Sequence, residues 1–176
     1  MLRRAIDHDM LLAWKLGFHY FTSAAEAGRL GAEHVVWKNS RPVEFFIPPR
    51  AGAPRWGWYV PIRSQDQPLL RILLPKQGPV FKSKDPYGRL VRLAASHGIQ
   101  LTRRALREAC LTYAMASGLF HQEVAALARI RPDRIRRHFM LQVTRANSRQ
   151  FWALAPDLQW VATLPQHRRD GFCFNK

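Results

Sequence analysis

Apolar residues recur at helical spacing over most of the chain, and short extended runs replace that pattern only between residues 33 and 62. Residues 5–30 keep the helical period up to the glycines at 28 and 31, which predicts one amphipathic helix with a glycine stop. Three runs rich in β-branched and aromatic residues follow, EHVVWK (33–38), VEFFIP (43–48) and WGWYVPI (56–62), divided by turn formers. They predict a small antiparallel sheet. Its second connector, PRAGAPR (49–55), is a Gly/Pro loop carrying Arg50 and Arg55.

Helical patterning returns in DQPLLRILL (66–74) and in PYGRLVRLAASHG (86–98), where Asp85 is placed to cap and Pro86 to open the helix. It continues through 101–118 and 121–129, then through a longer helix from about Pro132 to Leu154. The expected fold is mainly α with a small three-stranded antiparallel sheet (α+β). One domain spans residues 1–155, and the tail 156–176 adds a strand or reaches a partner molecule. The chain has no internal repeat and no low-complexity segment.

Charge changes this picture. Lysine and arginine number 28 against 12 acids, a net charge of +16, with the excess shared evenly between residues 1–99 and 100–176. Arginine supplies 22 of the 28 cations, and its planar fork suits phosphate and guanine better than an ammonium does. A polyanionic partner is the simplest reason for such an imbalance, and the arginine share favours nucleic acid over mere solubility. Cys110 and Cys173 lack metal-ligand spacing, so no metal, no cofactor and no structural disulfide is expected. The basic, then apolar N-terminus superficially suggests a signal peptide, but Asp7, His8, Asp9 and Lys15 interrupt it and no cleavage site follows. An amphipathic helix of a cytoplasmic protein is therefore expected, and no stretch is long enough to span a bilayer. A DNA-binding role would make it nucleoid-associated.

On the last predicted helix, Arg134, Arg137, His138, Arg145 and Arg149 share one face, while Ile135, Phe139, Val143 and Ala146 share the opposite one. In TRRALREAC, Leu106, Ala109, Cys110 and Tyr113 form the apolar side, against Arg104, Arg107, Glu108 and Leu111. Arg104 and Arg107 bracket a phosphate, or Arg104 pairs with Glu108 at i,i+4 spacing. Phe45, Phe46, Trp56, Trp58 and Tyr59 read as core, with base-stacking platforms as the alternative. Residues 121–149 also resemble a helix-turn-helix, with a break at Ile130 to Pro132.

The order of elements resembles the catalytic domain of the tyrosine recombinases, the phage-integrase family, over about residues 10–150. FIPPRAGAPRWGWYVPI looks like that family's basic hairpin, GPVF like the segment after it, and TRRALREACLTYAMASGLFHQEVAALARI like its H-x-L-R-H-T helix and L-G-H turn. Members cleave DNA with a tyrosine nucleophile, while arginines, a lysine and histidine-type positions stabilise the phosphorane charge. The resemblance places His19 at the first arginine, Arg50 at the lysine, Arg104 at the motif histidine and Arg107 at the motif arginine. Glu108 stands for the following histidine, Ile130 for the L-G-H histidine and Phe139 for the tyrosine. The chain's tyrosines are at 20, 59, 87 and 113, so none follows the arginine helix into the final helices. Without that oxygen the family's covalent step has no nucleophile.

The resemblance therefore implies a catalytically inactive, recombinase-like DNA-binding protein, an accessory or regulatory factor of a mobile element. The phosphate contacts are expected from Arg50, Arg55, Arg103, Arg104 and Arg107, from Arg129, Arg131, Arg134, Arg137 and His138, and from Arg145 and Arg149. The resemblance covers none of the family's N-terminal core-binding domain, and a chain complete without it is expected to bind one side of double-stranded DNA, to form a homo-oligomer, or to act beside a full-length recombinase. The competing readings are a helix-turn-helix transcriptional regulator using residues 121–149, a strand-transferase or nuclease using Cys110 or water, and a structural RNA-binding protein. The nuclease reading is weak because no paired carboxylates have metal-site spacing and Cys110 lies on an apolar face.

Overall fold

A computed structural model describes residues 6–49, 57–138, 143–154, 156 and 158. The fold is mainly helical with one three-stranded antiparallel sheet. The described helices are α1 (His8–His19), α2 (Ala24–Ala27), α3 (Gln67–Leu73), α4 (Pro86–Ser96), α5 (Ala105–Ala116), α6 (His121–Ala128), α7 (Pro132–His138) and α8 (Arg145–Ala153). The sheet has the order β1 (Val35–Lys38), β2 (Arg41–Ile47), β3 (Trp58–Pro61). Asn39 and Ser40 both take left-handed backbone angles, so β1 and β2 are joined by the tight two-residue turn whose twist matches a hairpin. Pro42 sits in the central strand because the register slips opposite it, between Val36 and Trp37.

One face of the sheet is buried through Val35, Phe45, Ile47 and Val60, which join α1, α3 and the start of α4 in a first apolar cluster. A second cluster gathers Cys110, Leu111, Ala114, Val124, Ala128, Ile135 and Phe151 from the later helices. Phe18 packs against both, so α1 is the spine between them.

The expected single helix over 5–30 is two helices. α1 stops at His19, Phe21 adopts a left-handed conformation, and Ser23 starts α2 with a capping box. Nor does α1 turn a polar face to water. Asp9, Lys15 and His19 are buried within it. Lys15 has no exposed side-chain surface and lies 2.7 Å from the Asp66 carboxylate. That carboxylate also accepts hydrogen bonds from the Tyr20 hydroxyl at 2.6 Å and from Arg63 Nε at 2.8 Å. Burial opposes the charge on Asp66, but the bonds from Lys15 and Tyr20 outweigh it and hold the carboxyl below its usual range.

The helix expected from Pro132 to Leu154 is also divided. Thr144 is extended, and its side chain caps α8 through the Asn147 amide at 3.1 Å. Ile135 is fully buried as its position on the apolar face requires, whereas Ala146 is exposed. The sheet aromatics divide as well: Phe45 is core, while Trp58 and Tyr59 are exposed. No helix among the described residues is long and apolar enough to cross a membrane.

His19 is enclosed by Trp14, Phe18, Phe151 and Trp152, with Nε2 3.2 Å from the Phe151 carbonyl. Burial, then the charges of Lys15 and Arg63, push its pKa down to about 3. The folded protein thus keeps His19 neutral while the unfolded chain takes up a proton below its ordinary value of 6.5. Stability is full above that pH and falls as pH drops through the window towards 3. Urea midpoints should decline between about pH 6.5 and 5, and His19→Gln should flatten that decline. An equal slope in the variant would contradict a buried neutral imidazole.

Candidate nucleic-acid interface

The turn between α6 and α7 is built around a left-handed arginine. The Ile130 amide donates to the Ala125 carbonyl at 3.0 Å and the Arg129 amide to Ala126 at 3.1 Å, closing α6 in the pattern that glycine usually completes. Arg129 has φ 57°, a conformation that costs an L-residue roughly 1–2 kcal/mol. Its guanidinium offsets this. Nε donates to Glu26 at 2.8 Å, Nη1 to the Leu127 carbonyl at 2.9 Å and Nη2 to the Phe21 carbonyl at 3.1 Å. The side chain is only 7% exposed.

Arg107 enters the same knot from α5. It donates to the Ala128 carbonyl and lies 3.8 Å from the second Glu26 oxygen, with its side chain 21% exposed. Glu26 Oε2 meanwhile accepts the Ser23 amide at 2.8 Å and the Ser23 hydroxyl at 2.7 Å. One carboxylate therefore ties the start of α2 to α5 and to the α6–α7 turn. Burial alone would raise its pKa, but the Arg129 hydrogen bond and charge, the Ser23 amide and Arg107 bring it down to about 2. Burial also lowers the pKa of Arg107.

Above this knot run two adjoining grooves. The larger, about 880 Å³, has Ala125, Ala126, Ile130 and Pro132 along its floor, with Arg129, Arg131, Arg134, Arg137 and Trp58 around them. Its single carboxylate, Asp133, lies 3.3 Å from Arg131 and 3.4 Å from Arg137, so arginine outnumbers acid by four to one. The second, about 370 Å³, is lined by Arg103, Arg104, Arg107, Glu108 and Leu111 and shares Ile130 and Arg134 with the first. Together they form one basic track. Arg103 is partly neutralised by Asp85 at 2.8 Å, whereas no ion pair among the described residues holds Arg104, Arg134 or Arg136.

The track unites Arg103, Arg104, Arg107, Arg129, Arg131, Arg134 and Arg137, which the sequence spreads over 35 positions. It leaves out Arg145 and Arg149. These line a separate cleft of about 410 Å³ with Arg63, Ser117 and Trp152, because the break at Thr144 removes the continuous helical face that would have joined them to Arg134. His19 is in the core, away from both grooves. Arg50, Arg55, Phe139 and the side chain of His138 lie outside the described residues. Arg107 and Arg129 turn most of their donors inward, so they frame the track more than they face it. Sequence reasoning missed Glu26, although Ser23-x-x-Glu26 is a capping-box signal, and it missed Arg136, exposed on α7. Cys110 is fully buried, which pushes its thiol up to about 12 and leaves little thiolate for nucleophilic chemistry. Among the described residues no three His, Cys, Asp or Glu side chains form a metal-binding group. Cys173 lies outside them.

No protein-family model matches the chain, and no curated protein or solved structure matches it either.

Removing the Glu26 charge would leave two arginines buried without a counter-ion. Glu26→Gln should cost about 3–5 kcal/mol in urea unfolding at pH 7. Because the folded pKa is depressed, the wild-type advantage is complete above pH 4.5 and lost as pH falls towards 2. The gap between variant and wild type should therefore close in acid; a constant gap would argue against the ion pair.

Proposed function

We propose that this chain is a DNA-binding protein of the tyrosine-recombinase kind that holds duplex DNA in the arginine track and does not cut it. The observation that carries the reading is the convergence of Arg104, Arg107 and Ile130 in one groove. The resemblance aligns these three with the family's phosphate-facing positions, and they come from two separate stretches of chain. Arg103, Arg131, Arg134 and Arg137 extend the same surface in the way a nucleic-acid backbone requires.

The tyrosines support the non-cutting part of the proposal. Tyr20 is buried and donates to Asp66, burial raises the pKa of Tyr87, and Tyr113 stacks on Phe151 at 4.1 Å. Tyr59 is exposed on β3 and leans on Phe46. None of the four lines either groove of the track. In this reading the protein is an accessory or regulatory factor of a mobile element, acting on the nucleoid beside a full-length recombinase or a second copy of itself.

A helix-turn-helix regulator is the second reading, favoured by the three-residue turn between α6 and α7. It differs in confining recognition to α7. Arg104, on the far side of the shared groove, would then contribute nothing.

Anisotropy titrations of a random duplex from about 50 to 200 mM salt should give a slope of log K against log salt near −0.9 for each phosphate neutralised. Arg104→Ala and Arg134→Ala should each reduce that slope by about 1. Both positions are exposed, so the substitutions leave the Glu26 knot intact. An Arg104 variant that binds like wild type would favour the helix-turn-helix, and a flat salt response would end the DNA reading. Supercoiled plasmid should stay intact with and without magnesium; nicking would overturn the non-cutting assignment.

A further inference from the structure

Trp58 is the least explained large side chain in the track. It pairs in register with Ile47, two residues before Val60, so it belongs to the sheet face that buries Phe45, Ile47 and Val60. Val60 and Ile47 pack into the core, yet Trp58 is 50% exposed. Trp58 opens β3 and lines the same groove as Ala125 and Ala126 of α6 and Pro132 and Arg134 of α7. There it meets the apolar floor of the groove with Arg131, Arg134 and Arg137 around it. Among the described residues no aromatic ring stacks on it, whereas its neighbour Tyr59 leans on Phe46 at 5.1 Å.

An exposed indole among phosphate-binding arginines has a face to offer. A regular duplex cannot use it, because its base faces are already covered by their neighbours. Only a base that has left the stack presents a free face, and such a base gains substantially from an aromatic platform while flanking arginines hold its phosphates. We infer that the track prefers DNA carrying an unpaired base, which stacks on Trp58 while Arg131, Arg134 and Arg137 hold the adjoining backbone. This rests on the track being the DNA site.

The test compares a perfect duplex with the same duplex bearing one bulged thymine, using wild type, Trp58→Ala and Trp58→Phe. Wild type should bind the bulged duplex about tenfold or more tightly than the perfect one, the advantage that a single stacked base confers. Trp58→Ala should abolish the advantage, so that the variant binds the bulged and the perfect duplex equally. Trp58→Phe should retain most of it, which also guards against a folding defect in the alanine variant. Equal affinities for the two duplexes in wild type, or a preference that survives in Trp58→Ala, would overturn the inference and leave the proposed function standing. Failure to bind either duplex would remove both.

Discussion

The carboxylate of Glu26 is the contact on which the basic track depends. Two arginines from distant parts of the chain, Arg107 and Arg129, converge within a few ångströms, and without a counter-ion their burial would be strongly unfavourable. A single acid serves both and also caps α2 through Ser23. The left-handed turn at Arg129 exists because the same guanidinium collects hydrogen bonds from three directions. Orientation of α7 follows from that turn, and with it the directions of Arg131, Arg134 and Arg137. Charge inside the fold thus sets where charge outside it is displayed.

A second buried carboxylate, Asp66, plays the corresponding part on the other side of α1. Lys15 and Tyr20 reach it from the spine and Arg63 from the segment after the sheet, so the sheet layer and the helical layer share one electrostatic anchor. His19, one turn beyond Lys15, stays neutral chiefly because it is buried, and the cations Lys15 and Arg63 nearby add to the effect. A helix carrying aspartate, lysine and histidine is suited to a surface. Here each of those groups is enclosed, and what would have been a polar face joins two cores.

The surface arginines divide by function of place. Those on α7 and before α5 share the track with a half-exposed tryptophan; those on α8 lie in another cleft. Arg145 and Arg149 repel one another at i,i+4 spacing, and Arg145 sits in the positive first turn of its helix. Such placements cost a little stability, which fits a protein whose surface charge serves something other than the fold.

Much of the architecture was legible in the residues. The element order, the three-stranded sheet, the Asp85 cap with Pro86 behind it and the burial of Leu106, Cys110 and Ile135 all follow from local pattern, since periodicity and capping act within one or two turns of chain. The break at Thr144 was not, because a helical period runs across it unbroken and only a weak Thr-x-x-Asn cap marks the new start. The pairing of Glu26 with Arg107 and Arg129, the burial of Asp66 and the exposure of Trp58 were beyond reach for a different reason. A side chain's partner 81 or 103 positions away, or the groove that leaves a strand residue half-exposed, leaves no mark on nearby residues. By itself the sequence determined the sheet, most of the helices and the excess of arginine, which are local or summed properties. Only the tertiary structure decided which arginines are buried as frame and which are turned to solvent, because a buried guanidinium needs a counter-ion and Glu26 reaches only Arg107 and Arg129.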